Sequence, residues 1–134
     1  MKLKIAMAQI NPTVGDISGN VEKIKGFITR AKRKRADLIV FPELSILGYP
    51  PMDLLEKESF IKNNLSAVET LATYAPEVGV IIGFVKKNQC PPGMPLMNCA
   101  GVLYRGKLIF TRVNHFFLPM IYSMRRDTFN LLLK

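Results

Sequence analysis

The sequence predicts an α/β fold with a mixed sheet, because short apolar runs alternate with segments of helical periodicity. Residues 3–9 (LKIAMAQ) and 36–41 (ADLIVF) are compact, mostly apolar runs, typical of strands in a covered sheet. Between them, from about residue 18 to 34, apolar side chains recur at helical spacing. This strand–helix–strand order favours a sheet with helices packed against it.

The rest of the chain continues the alternation. Residues 54–75 predict a second helix, and residues 78–85 predict a third strand. A loop rich in proline, glycine and asparagine follows over residues 86–95. Residues 97–104 and 107–113 then predict two strands of a hairpin, with Arg-Gly at the turn.

Composition narrows the class of protein. A chain of 134 residues fits one domain, and 49% hydrophobic residues with a mean hydropathy of +0.16 exclude a disordered tail. No apolar stretch approaches the roughly 20 residues that span a bilayer, and the start lacks the apolar region of a signal peptide. We therefore expect a cytoplasmic protein with no membrane partner. Two cysteines do not form a disulfide framework.

The net charge of +9 leaves a small basic nucleic-acid-binding module as a less favoured alternative. The basic residues cluster in residues 28–37, at the end of the first predicted helix, where cations suit the helix dipole. No basic stripe carries the interleaved aromatic residues of single-strand binders, so we expect no nucleic-acid partner. No group of histidine, cysteine and carboxylate residues has metal-ligand spacing, so we expect no metal site.

Glu43 is the first candidate functional residue. It follows Pro42, just beyond the second predicted strand. Functional residues gather at the carboxyl ends of strands in sheets of this kind, so the position suits catalysis. On position alone, a solvated acid at a strand end remains the more favoured interpretation.

Several motifs together resemble the nitrilase-like carbon–nitrogen hydrolase superfamily, and within it the glutaminase domain of glutamine-dependent NAD synthetase. They are FPE (41–43), NPTVGD (11–16), GYPP (48–51) with DLL (53–55), VIIGFV (80–85) and the hairpin NCAGVLYRGKLIF (98–110). The resemblance implies an α-β-β-α sandwich, of which residues 1–119 would form roughly the N-terminal half as a partial carbon–nitrogen hydrolase domain.

The resemblance also implies a chemistry that uses a glutamate, a lysine and a cysteine. The glutamate takes the thiol proton, the thiolate attacks the amide carbon of glutamine, and the lysine stabilises the oxyanion. Ammonia leaves, and water then hydrolyses the thioester. Matched to the motifs, Glu43 is the general base and Tyr49 lines the substrate pocket, although Tyr49 also fits a half-buried loop aromatic.

No cofactor is expected in this chain, because ATP and the NAD precursor would bind a synthetase domain that the sequence does not contain. Glutamine is the implied substrate. The expected protein partners are a second copy of the chain, as a homo-oligomer, or a synthetase domain.

The sequence departs from the family pattern at the other two catalytic positions. The lysine is expected just before the Leu-Pro pair at 118–119, where Asn114 and His115 stand instead. Asn114 can donate a hydrogen bond but brings no charge, and His115 is interpreted as a bystander. The nucleophile is expected further downstream, whereas Cys90 and Cys99 both precede this point. We therefore predict an inactive fragment, with a non-catalytic association fragment or an inert pseudogene product as alternatives.

Residues 120–134 do not resemble the family. If codons from residue 121 onward are read from their third base, the permitted products include Leu-Phe-Asp-Glu-Ala-Arg-Tyr-Phe-Gln-Pro, which contains the family motif expected here. We infer a shift of reading frame between residues 120 and 122, so that the tail is out of frame. A pseudogene and a sequencing error both explain the shift, and a divergent tail is the alternative.

Overall fold

The computed structural model describes residues 1–90 and 92–114, so the predictions for His115, for the Leu-Pro pair and for the tail lie outside the described residues. Within these residues, a single five-stranded sheet contains the strands in chain order. The strands are Ile5–Met7 (β1), Leu38–Val40 (β2), Gly79–Lys87 (β3), Leu96–Tyr104 (β4) and Lys107–Asn114 (β5). The helices are Ile17–Arg33 (α1) and Glu58–Tyr74 (α2), with a short 3-10 helix at Met52–Glu56.

The sheet is mixed. β1, β2 and β3 pair in parallel, and β3, β4 and β5 pair in antiparallel fashion. α1 connects β1 to β2, and α2 lies between β2 and β3, so the first three strands form two β-α-β units. Their carboxyl ends therefore share one edge of the sheet, and the loop that follows β2 begins there.

Residues at both ends of helix α1 explain where the helix begins and ends. The Asp16 carboxylate accepts a hydrogen bond from the Gly19 N–H at 2.9 Å and so caps the first turn. Ile24 and Ile28, one turn apart, are fully buried. Basic residues fill the last turn, where they face the negative end of the helix dipole.

The helices cover one face of the sheet. Val80, Ile82 and Phe84 alternate along β3 and are at most 1% exposed, with α2 packed against this strand. The intervening Ile81 belongs to the other face and is only partly buried. Register places it in a row of apolar side chains that crosses all five strands: Met7, Val40, Ile81, Val102 and Phe110. We call this row the open-face row, because no described helix covers it.

The predicted α/β class with a mixed sheet is confirmed, and so is the hairpin. Arg105 and Gly106 both have positive φ, as a two-residue hairpin turn with the twist of its strands requires. The boundaries differ most at two places. β1 pairs over only three residues, and the second helix begins at Glu58 because Lys57 has an extended backbone that ends the preceding 3-10 helix.

Two kinds of feature are absent from the described residues. No helix there is both long and apolar enough to cross a membrane. No group of three or more histidine, cysteine, aspartate or glutamate side chains within residues 1–90 and 92–114 could hold a metal ion.

Candidate active site

Glu43 lies on the loop that leaves β2 at the carboxyl edge of the sheet. The Phe41 N–H still donates to the Ile81 carbonyl at 3.0 Å, so the chain follows β3 for one residue beyond the strand. Pro42 has no N–H and therefore cannot extend this pairing. The buried Ser45 hydroxyl then donates to the Pro42 carbonyl and closes a turn around Glu43.

Gly83 of β3 allows this loop to approach the sheet closely. A Cβ at position 83 would lie 2.6 Å from the Leu44 nitrogen and 3.1 Å from the Glu43 Cα. Both atoms belong to the backbone and have no flexible end that could move aside. The absence of a side chain at residue 83 therefore sets the position of the Glu43 backbone.

Asn20 of α1 holds the loop from the side. Its Nδ2 donates to the Ile46 carbonyl at 2.9 Å and to the Thr13 carbonyl at 2.8 Å, while its Oδ1 accepts from the Thr13 N–H at 2.8 Å. The side chain is fully buried, and these bonds satisfy both ends of its amide. Asn20 thus joins the loop after β1 to the loop that carries Glu43.

A backbone contact strengthens the same junction. The Gly15 N–H donates to the Leu47 carbonyl at 2.9 Å. Gly48 has a φ of +77°, and a Cβ there would lie 2.6 Å from the Val14 Cα. The NPTVGD and GYPP motifs of the sequence are therefore two sides of one packed junction.

The Glu43 carboxylate accepts hydrogen bonds from two asparagine amides on neighbouring strands. Asn98 of β4 and Asn114 of β5 are register partners, and both Nδ2 groups donate to Oε1 of Glu43. The Asn114 bond measures 3.0 Å. Asn98 is only 1% exposed, whereas Asn114 and Glu43 are exposed. Asn114 is therefore the hydrogen-bond donor that the sequence suggested, and Asn98 is a donor that sequence reasoning missed.

These side chains line one cavity of about 310 Å³. Glu43, both asparagines and Arg112 contribute to its wall, together with apolar residues of the loop after β2 and of β3. The cavity therefore combines a carboxylate acceptor, amide donors and one guanidinium. This set of donors and acceptors can bind a small polar molecule with an amide or carboxylate group.

Tyr49 lies further along the same loop and is 49% exposed. It is not among the side chains that line the Glu43 cavity. The structure thus brings Glu43 together with Asn98 and Asn114 rather than with Tyr49. The roles of Glu43 as general base and of Tyr49 in substrate binding stay predictions.

Cys99 does not have the surroundings of a nucleophile. Burial raises the pKa of the Cys99 thiol, and the nearby Lys86 charge opposes this only in part. A reactive thiol needs the opposite shift, toward the thiolate. Cys90 is exposed, in the loop between β3 and β4. Cys99 thus behaves as the small core residue that its place in a strand suggested.

Gly83 and Asn98 were not predicted as site residues, although the sequence contains a weak signal for each. Gly83 interrupts an apolar strand, which often marks a close backbone approach. Asn98 is a polar residue within the otherwise mostly apolar strand β4. The role of Asn98 depends on its contact with Glu43, which lies 55 residues away along the chain and becomes a neighbour only in the fold.

Known proteins are similar to this chain in sequence and in fold. The glutamine-dependent NAD(+) synthetase of Thermotoga maritima is 34% identical over 110 residues, which cover 81% of this chain and 18% of that protein. The solved glutamine-dependent NAD+ synthetase of Acinetobacter baumannii is 33% identical, with a TM-score of 0.76 over 84% of this chain and 21% of that one. The chain thus spans about a fifth of the length of these relatives.

A solved amidase from Nesterenkonia sp. shares the fold at 18% identity, with a TM-score of 0.65 over 84% of this chain and 42% of that one. Together with the synthetase, it confirms the nitrilase-type fold class, of which the described residues supply the sheet and the two helices of one half. The sequence matches the carbon–nitrogen hydrolase family over residues 4–122. This chain therefore belongs to the carbon–nitrogen hydrolase family.

Proposed function

We propose that this chain is the Glu43-bearing part of a glutamine amidohydrolase domain that supplies ammonia for NAD synthesis. The observation that carries the proposal is the Glu43 carboxylate, hydrogen-bonded by two asparagine amides in a cavity at the carboxyl end of β2. The names of the relatives, which are glutamine-dependent NAD synthetases, support the substrate and the pathway.

In this proposal Glu43 is the general base. It takes the proton of a cysteine thiol, and the thiolate attacks the amide carbon of glutamine. A lysine would stabilise the oxyanion, and ammonia would leave before water hydrolyses the thioester. ATP and the NAD precursor would bind a separate synthetase domain.

Residues 1–134 lack two of the groups that this reaction needs. Asn114 occupies the end of β5, near where the lysine is expected, and an amide carries no positive charge. Cys99 is buried with a raised pKa. We therefore propose that the 134-residue chain binds a primary amide at the Glu43 cavity and does not turn it over.

Two measurements on the purified chain test this. L-Glutamine should shift the NMR signals of the Asn98 and Asn114 side-chain amides, and a Glu43→Gln variant should weaken that response. Ammonia release should stay at background, because loss of a catalytic nucleophile costs many powers of ten in rate. Turnover that disappears in Cys90→Ala or Cys99→Ala, or a complete lack of response to glutamine, would contradict the proposal.

A second candidate function is non-catalytic association with a second copy of the chain. The open-face row favours it, because Met7 is 73% and Phe110 57% exposed. Such a row across a sheet is a surface that other proteins bury. A chain that does not respond to glutamine, but whose mass rises with concentration in sedimentation, would favour this alternative.

A further inference from the structure

We infer that Asn98 is a positioning residue for Glu43: it fixes Oε1 of the carboxylate and leaves Oε2 as the oxygen that accepts the proton. The inference rests on the proposed function, in which Glu43 is the general base. It concerns Asn98 and the individual oxygen atoms of Glu43, neither of which the sequence identified.

The first support is the rigidity of the donor. Asn98 pairs with Val85 of β3 on one side and with Asn114 of β5 on the other, so its backbone lies inside the sheet. Its side chain is 1% exposed and cannot sample other rotamers without disturbing its neighbours. Asn114, the second donor, is exposed and is the last residue of its strand. Of the two amides, Asn98 is therefore the one whose position the fold determines.

The second support is the other end of the same amide. Oδ1 of Asn98 is buried and has no hydrogen-bond partner among the described residues. A buried carbonyl oxygen without a donor costs free energy, and an apolar side chain of similar shape would avoid that cost. The described hydrogen bond of this side chain is the one from Nδ2 to Glu43. Asn98 therefore contributes to the orientation of Glu43 rather than to the stability of the core.

The third support is the choice of oxygen. Both amides donate to Oε1, and within residues 1–90 and 92–114 no hydrogen bond to Oε2 is described. Oε1 is thus occupied by two neutral donors, and Oε2 keeps its lone pairs available. In the proposed reaction the thiol S–H bond breaks, an Oε2–H bond forms, and the electron pair stays on sulfur as the thiolate.

The decisive experiment is NMR on the complete 134-residue chain, labelled with ¹⁵N and ¹³C. We expect a scalar coupling across the hydrogen bond between Nδ2 of Asn98 and Cδ of Glu43. The Asn98 side-chain amide protons should exchange with solvent at least about tenfold more slowly than those of Asn114, because only Asn98 is buried. In Glu43→Gln the Asn98 amide proton should move upfield, since a neutral acceptor makes a weaker bond than a carboxylate.

A matched pair of variants separates positioning from packing. Asn98→Leu keeps the approximate shape of the side chain and removes both its donor and the unpaired oxygen, so the melting temperature should not fall. The ¹³C order parameter of the Glu43 carboxyl group should nevertheless drop clearly. Asn114→Leu removes the exposed donor to the same oxygen and should lower that order parameter less.

An unchanged order parameter for Glu43 in folded Asn98→Leu would overturn the inference, as would a native chain without the coupling. If Asn98→Leu does not fold, two other measurements test the inference. They are the Asn98–Glu43 scalar coupling in the native chain and the shift of the Asn98 amide proton in Glu43→Gln. None of these readouts measures ammonia or glutamine. Failure of the proposed function and failure of this inference are therefore distinguishable.

Discussion

The two faces of the sheet differ in the kind of contact that covers them. On the helix-covered face, Val80, Ile82 and Phe84 contact a layer of helices, and their burial is almost complete. On the opposite face, the carboxyl end is covered by the loop that carries Glu43, and the remainder includes the open-face row, whose two ends, Met7 and Phe110, are exposed. The first face depends on many apolar contacts, whereas the second depends on a few specific ones, such as the close approach of the loop to Gly83 and the hydrogen bond from Asn98 to Glu43.

This difference separates stability from chemistry within one small sheet. The free energy of burial comes mainly from the helix-covered face, where apolar area is removed from water. The geometry of the candidate site comes from Gly83, Asn20 and Asn98, which set a loop or a carboxylate and bury little apolar area. Substitutions on the two faces should therefore have different consequences.

The largest expected effect is on the helix-covered face. Phe84→Ala should lower the free energy of unfolding by about 3–5 kcal/mol, because a ring that is 1% exposed leaves a cavity in the core. Phe110→Ala, its matched control on the open face, should cost no more than about 1 kcal/mol. Urea unfolding followed by circular dichroism measures both. Equal losses for the two variants would show that the open face is buried in solution.

The sequence predicted the helix-covered face better than the site, and the reason is the range of the interactions involved. Ile24 and Ile28 reveal their helix through local spacing, and the β4–β5 hairpin follows from residues adjacent in sequence. The position of Glu43 at a strand end could also be predicted, because it needs only the end of β2 and Pro42.

The contacts of Glu43 could not be predicted in the same way. Asn98 and Asn114 reach it only after β3, β4 and β5 have paired in the right register. Each of those hydrogen bonds joins residues more than 50 positions apart, and neither leaves a periodic pattern in the sequence. The early end of β1 had a similar cause, because its length is set by pairing with the three residues of β2.

The next largest effect sharpens the comparison at the site. Gly83→Ala should destabilise the chain by about 1–3 kcal/mol, because the new methyl group would meet the Leu44 nitrogen at 2.6 Å. It should also shift the NMR signals of Glu43 and Asn98. Gly26→Ala is the matched control: it lies within α1 with nothing near its Cβ position, and it should stabilise the chain by about 0.5–1 kcal/mol. If Gly83→Ala also stabilised the chain, the close approach of the loop would be wrong.

The smallest expected effect tests whether water is excluded from the helix-covered face. It is measured by changing the pH, whereas the two predictions above change the size of a side chain. Cys99 is the register partner of Phe84, and burial raises the pKa of its thiol. A thiol whose pKa is higher in the folded chain stays protonated there while the unfolded chain ionises. Its contribution to stability is therefore complete below the unfolded pKa of about 9.0, and it is lost as pH rises through the folded value.

Between pH 8 and 9.5 the native chain should lose no more than about 1 kcal/mol of unfolding free energy through this thiol, and Cys99→Ala should lack that part of the loss. The smaller side chain of Cys99→Ala also lowers the free energy of unfolding by an amount that does not depend on pH. The quantity to compare is therefore the slope of the unfolding free energy against pH. Cys90→Ala is the control, because Cys90 is exposed and its removal should leave the slope unchanged. Parallel pH profiles for native chain and Cys99→Ala would mean that water reaches Cys99, and that the burial assigned to this face is incomplete where β4 crosses it.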